Sequence, residues 1–310
     1  MTDSRDPRKT LGEALVEAAE KNKKIVAISA DSSSGSGLTP FHKRFPERHI
    51  EFGIMEQGVM GFSAGLATTG KIPFVVAIAP FVTARPFEMF RNDLGYMRQN
   101  VKVVGRCAGI TYSDLGATHQ SLDDIAIIRT IPGVTVLNPG DPVDIVKAVH
   151  ASAAHVGPVY IKLGSPKMPV LMDENYPFQI GKGAVMEKGN DITIIGTGTL
   201  LSKAAEATRI LKEKGINARL INLHTINPLD RELVLKAAAE TGKIVTVEEG
   251  YLAGGMGSCI AEFLATEHPV PMKMIGIDDL FCDTGPYEEL LAMYGLQGEQ
   301  IADTVEKFLG

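Results

Sequence analysis

Cysteine is scarce in this sequence. Cys107, Cys259 and Cys282 are the only three, they form no Cys-x-x-Cys pair, and an odd number cannot all be joined to one another. That argues against a disulfide scaffold and for a reducing, cytoplasmic setting. Long apolar runs are also missing. The longest, Ile72 to Val82, is interrupted by Pro73 and Pro80 and is too short to span a bilayer. The opening residues, MTDSRDPRKT, are polar and charged and lack the apolar centre of a signal peptide. There is no basic cluster either: the net charge of −6 is spread along the chain, which disfavours nucleic acid and anionic membranes as partners. Neither a short repeat nor a low-complexity tract is present.

What remains is a chain of 310 residues, 45% hydrophobic and 22% charged, the composition of a soluble globular protein with material for two domains. Short β-branched runs alternate with amphipathic stretches. Ile25–Ser29, Ile72–Ala79, Val101–Gly105, Val134–Leu137 and Val159–Leu163 read as buried strands. Leu11–Lys21, Glu56–Thr69, Phe87–Arg98, Leu122–Thr130 and Pro142–Ala154 carry apolar residues at helical spacing. Continuous apolar strands separated by helices predict an α/β fold with a mainly parallel sheet covered on both faces. The proline- and glycine-bearing stretch Gly164–Lys188 reads as a linker or crossover. Alternation then restarts with strands at Ile192–Ile195, Ala218–Leu223, Ile244–Val247 and Met272–Ile277, and helices at Leu201–Lys214, Glu232–Glu240 and Ser258–Thr266. The expected division is a first domain over residues 1–165, a linker over 166–184 and a second domain over 185–310.

The most informative stretch runs from Glu51 to Leu66, EFGIMEQGVMGFSAGL. A strand ends near Phe52 and a helix begins near Glu56, with Gly58, Gly61 and Gly65 on one helical face. Each glycine costs about 1 kcal/mol relative to alanine inside a helix, so three together signal a packing demand. An isolated glutamate at a helix start usually does no more than complement the dipole, worth under about 1 kcal/mol.

The surrounding residues change that reading. FGIMEQ with its following glycines and GKIPF resembles the pyrimidine-binding domain of the transketolase family. The resemblance continues through Pro80-Phe81-Val-Thr-Ala-Arg85-Pro-Phe87, Arg91-Asn92, Gly116-Ala-Thr-His119-Gln120, the Asp123–Pro132 run and Gly157-Pro-Val-Tyr-Ile-Lys-Leu-Gly164. In the second half it covers Thr225-Ile-Asn-Pro-Leu-Asp230, Val247-Glu-Glu249 and Gly254-Gly-Met-Gly257-Ser258. It implies two domains, each a mainly parallel sheet flanked by helices, and a thiamine diphosphate-dependent transferase of two-carbon ketol units.

By that resemblance, Glu56 matches the glutamate that hydrogen-bonds the coenzyme's aminopyrimidine ring and favours its imino tautomer, a task suited to an apolar pocket. Phe81 matches the aromatic that stacks on the pyrimidine, and Phe87 belongs to the same motif. Ile78 stands where many relatives carry a second aromatic. Asp31 matches an acidic residue near the thiazolium, although an aspartate there also suits a plain turn. His119 matches a histidine that contacts substrate, with a side-chain pKa suited to proton transfer near neutrality. The other six histidines show no metal-ligand spacing and read as structural or exposed.

Three positions depart from the family pattern. Cys107 falls where a sugar-contacting histidine is common, Leu115 where an aspartate normally contacts a donor hydroxyl, and Ser165 where an arginine often grips the substrate phosphate. Serine cannot reproduce a bidentate arginine–phosphate contact. The departures imply a non-standard sugar: branched, deoxygenated or bearing a different anion. Cys107 also suits a small buried residue.

The Gly-Asp-Gly motif that holds Mg²⁺ and the diphosphate in this family occurs nowhere in the sequence. Gly196-Thr-Gly198 lacks the third glycine of a dinucleotide fingerprint and reads as a structural turn. The resemblance therefore implies a separate partner subunit carrying the metal and diphosphate site, in an α2β2 assembly. The Gly-Gly-Met-Gly-Ser turn suits close backbone approach or an anion. Rival readings are the beta subunit of a 2-oxoacid dehydrogenase, a deoxyxylulose phosphate synthase, and a non-catalytic assembly subunit.

Overall fold

The computed structural model describes residues 3–310. Two sheets organise the chain. The first has seven strands in the order Thr225–Asn227, Thr135–Leu137, Val159–Leu163, Lys102–Arg106, Ile72–Ile78, Ile25–Ser29 and His49–Glu51. All neighbours are parallel except the Thr225–Asn227 edge. The second has five, in the order Met272–Ile277, Ile244–Tyr251, Ile192–Gly196, Ala218–Asn222 and Ala184–Glu187, with only the last antiparallel. The fold is thus α/β with two mainly parallel sheets.

Helices cover both faces of the first sheet, as continuous apolar strands demand. On one face the Pro7–Lys21 helix, capped by the Asp6 carboxylate, packs with the Asp141-capped Pro142–Ala154 helix over Phe74 and Ile161. On the other, Val59, Met60, Phe90 and Leu94 seal a cluster that runs on through Ile195, Leu223 and Ile260 of the second half. The two sheets therefore share one apolar core. No helix among the described residues is long and apolar enough to cross a membrane.

Three features differ from the sequence expectations. The Phe87–Arg98 stretch is a short helix, Phe87–Met89, that widens into a π-helix over Phe90–Tyr96. At the end of the wide turn Gly95 lies against Ile131, where a Cβ would collide. The Gly164–Lys188 stretch contains two short strands: Met168–Pro169 pairs with Ser4–Arg5, and Ala184–Glu187 edges the second sheet. Finally, Thr225–Asn227 leaves the second half to pair with Thr135–Leu137 of the first sheet.

The residue before that crossing strand is His224, which is 1% exposed and stacks on Phe178 with ring centroids 4.0 Å apart. Burial pushes its pKa down from 6.5 to about 4, with Asp230 opposing. An unfolded chain binds a proton near pH 6.5 that the native chain refuses until about pH 4. This histidine's contribution is therefore intact at pH 7 and is lost as pH falls through that window. Urea unfolding at pH 7 and pH 4.5 should show that His224→Gln removes about 2 kcal/mol of the acid destabilisation. An identical pH dependence in the two proteins would refute this.

Candidate active site

The candidate residues gather at the carboxyl ends of the first sheet's strands, where open parallel sheets bind ligands. After the Ile25–Ser29 strand, Asp31 takes a left-handed φ of 51°. Its N–H donates to Glu51 Oε1 at 2.5 Å, and Ser29 Oγ donates to Glu51 Oε2 at 2.7 Å. Burial pushes the Glu51 carboxyl up, but these bonds and a third from the Gly53 N–H outweigh it and hold its pKa low. Glu51 thereby ties the first strand to the turn that leads into Glu56. The Asp31 side chain itself makes no hydrogen bond among the described residues.

Glu56 opens the Glu56–Thr68 helix and is buried, while Ile54 and Met55 just before it are 74% and 59% exposed. The expectation of a purely apolar pocket is not met. Arg85 Nη1 donates to Glu56 Oε2 at 2.8 Å. Oε1 has no hydrogen-bond partner among the described residues.

The Ile72–Ile78 strand passes directly into the short Ala79–Val82 helix, with Pro80 in its first turn, and this presents Phe81. The Arg85 guanidinium carbon lies 4.0 Å from the Phe81 ring centroid. Edge-on to Phe81 at 5.2 Å is His119, and Tyr112 meets the other side of that imidazole at 5.4 Å. Glu56, Arg85, Phe81, His119 and Tyr112 thus form a continuous chain of contacts.

The second half holds the loop that carries His119. Glu249, buried in the second sheet, accepts from the Ile110 N–H at 2.7 Å. Burial pushes its pKa up, against bonds from Thr199, Tyr287 and Ile110. Farther along the loop, Gln120 Nε2 donates to the Asp283 carbonyl at 3.0 Å. The second half therefore positions a candidate site residue.

Ile78 is half-buried and lies opposite Arg106 in the sheet. Phe87 packs on the apolar core and makes no ring contact with Phe81 or His119. Cys107 is buried at a left-handed φ of 56°, its sulfur 3.2 Å from Arg106 Nη1. Leu115 is 43% exposed on the His119 loop, and the buried Ser165 hydroxyl has no partner. Sequence reasoning leaves Glu51, Arg85 and Tyr112 out of the candidate set. All three stand inside or beside the quoted motifs, and only folding shows what they touch.

A buried carboxylate with one free oxygen, joined through Arg85 to an aromatic ring, fits an aminopyrimidine: the oxygen can hydrogen-bond a ring nitrogen, and the ring face that Arg85 leaves open can stack. No group of three or more His, Cys, Asp or Glu among the described residues is arranged to hold a metal ion.

Comparison with known proteins accords with this geometry. Residues 3–169 match the family model of the transketolase pyrimidine binding domain, and residues 181–301 that of the transketolase C-terminal domain. An apulose-4-phosphate transketolase subunit of Phocaeicola vulgatus is 41% identical, over 97% of this chain and 97% of its own. The 6-deoxy-6-sulfo-D-fructose transketolase subunit of a Clostridium species is 38% identical, over 95% of this chain and 91% of its own. A solved structure described as a split gene transketolase, inactive beta4 tetramer, is 39% identical with a TM-score of 0.92 and covers 98% of both chains. The chain belongs to the transketolase family, of which it carries the pyrimidine-binding and C-terminal domains.

Proposed function

We propose that this chain is one subunit of a split transketolase that moves a two-carbon ketol unit from a ketose to an aldehyde. The observation that carries the reading is the buried Glu56 carboxylate, one oxygen free, linked to the Phe81 ring through the Arg85 guanidinium. Bound thiamine diphosphate would supply the carbon nucleophile. Glu56 holds a proton at the aminopyrimidine ring nitrogen, Arg85 fixes the carboxylate by a charge-assisted bond, and Phe81 offers a stacking surface. His119, half-buried and in contact with two aromatic rings, moves a proton at a substrate oxygen. Asp31 would face the thiazolium ring, and Ile78 would line the apolar wall.

The partner subunit carries Mg²⁺ and the diphosphate ligands, with two copies of each chain in the assembly. Two relatives named as transketolase subunits, and a split-gene structure, support that division. So do the exposed apolar residues around Glu56: Ile54 and Met55 in the preceding turn and Phe62 on its helix.

The substrate is a non-standard sugar, because Cys107, Leu115 and Ser165 put a thiol, an apolar side chain and a short hydroxyl where the family pattern has sugar- and phosphate-contacting groups. With its partner and coenzyme, the enzyme is expected to turn over xylulose 5-phosphate with ribose 5-phosphate at least about 100-fold less efficiently than its own donor. Full turnover of that ordinary pair would sink the specificity. Failure to transfer two carbons from any ketose in a broad panel would sink the function.

A further inference from the structure

The Lys102–Arg106 strand ends in a guanidinium that is 6% exposed. Its Nε donates to Ser36 Oγ at 2.9 Å and its Nη1 to Cys107 Sγ at 3.2 Å. Neither partner is a carboxylate, and no carboxylate pairs with it among the described residues. The other buried cations nearby are treated differently. Lys162 is paired with Asp124 at 2.7 Å. Lys102, bonded to Asn100 and two carbonyls, has its pKa pushed by burial down to about 7, so it can shed its charge. Arginine cannot, and a permanent buried charge without a counterion is costly.

The cover over this group is thin. Gly35 is exposed, and a Cβ built on it would lie 3.3 Å from Arg106 Nη2. The exposed Gly35 backbone therefore lies against that nitrogen and puts no side chain of its own there. Arg106 lies opposite Ile78 on one side, three residues before Phe81, and opposite Leu163 on the other, two residues before the unpartnered Ser165 hydroxyl. The guanidinium thus stands at the same edge of the sheet as the candidate site.

We propose that Arg106 anchors a tetrahedral oxyanion, a phosphate ester or a sulfonate, on the sugar substrate, reached past Gly35. The inference rests on the proposed two-carbon transfer for the sugar, and on this chain alone for the anion. Its first test needs no turnover: inorganic phosphate and sulfate are titrated calorimetrically into the full chain, into Arg106→Gln and into Gly35→Val. Gly35→Val keeps the guanidinium and sets a branched side chain against Nη2, where the Cβ alone would lie 3.3 Å away, so it reads the site even if Arg106→Gln fails to fold. Each variant should bind phosphate roughly 10- to 100-fold more weakly than wild type. Equal binding in all three overturns the proposal.

The second test uses the enzyme reconstituted with its partner. The ratio of kcat/KM for L-erythrulose 4-phosphate over L-erythrulose should collapse by a similar factor in Gly35→Val, and 6-deoxy-6-sulfo-D-fructose distinguishes a sulfonate donor. A phosphate effect with no transfer from any ketose keeps the anion site and overturns the transketolase reading. Transfer with an unchanged ratio does the reverse.

Discussion

Glu56→Gln is expected to lower two-carbon transfer by the reconstituted enzyme by roughly 10²- to 10⁴-fold, the usual worth of a positioned acid–base group. Glutamine has the shape of glutamate, and its oxygen can still accept from Arg85 Nη1, which sits 2.8 Å from the native carboxylate. Its other end is an amide, which cannot hold and release a proton. The helix start and the burial of the side chain should survive, so the loss should fall on kcat, with little change in the thermal midpoint. Steady-state kinetics over a range of thiamine diphosphate concentrations decide the matter. A variant with full kcat and only weaker coenzyme affinity would show that Glu56 binds without taking part in the chemistry.

The isolated chain should show no measurable transfer and hold thiamine diphosphate poorly, and both should appear when the partner subunit is added. Ile54 and Met55 leave Glu56 at the rim of an exposed apolar surface. Apolar surface of that kind is worth about 25 cal/mol per Å² when covered, and a partner that covers it also closes the coenzyme's second side. Met55→Asp should weaken association on gel filtration and lower activity in parallel, because an unpaired charge would enter the contact. Turnover by the chain alone would end the divided-site proposal.

The fold was readable where strands are buried on both faces and helices carry caps. Ile25–Ser29 and Val159–Leu163 are continuous apolar runs, and Asp141 with Pro142 announces its helix. Thr225–Asn227 and Ala184–Glu187 were not readable as strands. Each is too short to show a period, and Thr225–Asn227 owes its existence to a sheet edge formed far earlier in the chain. The wide turn at Phe90–Tyr96 was hidden for a related reason, since its apolar spacing also suits an ordinary helix.

The site shows the same boundary. Glu56, Phe81 and His119 stand out because long motifs surround them. Arg85 joins Glu56 to Phe81 across 29 residues of sequence, a contact that no local pattern encodes. Phe87 shares its motif with Phe81 yet turns into the core. Arg106 looks like an ordinary strand-terminal residue until its burial and its want of a carboxylate partner are known.

The short Thr225–Asn227 strand has a consequence for how the chain can be cut. A protease nick between residues 166 and 184 would leave the fragments stitched together by that strand and by the apolar core they share. Expressing residues 1–165 alone would strip Thr135–Leu137 of one of its two neighbours and leave an unpaired edge open to self-association. The amino-terminal piece should therefore precipitate or oligomerise unless its other half is supplied.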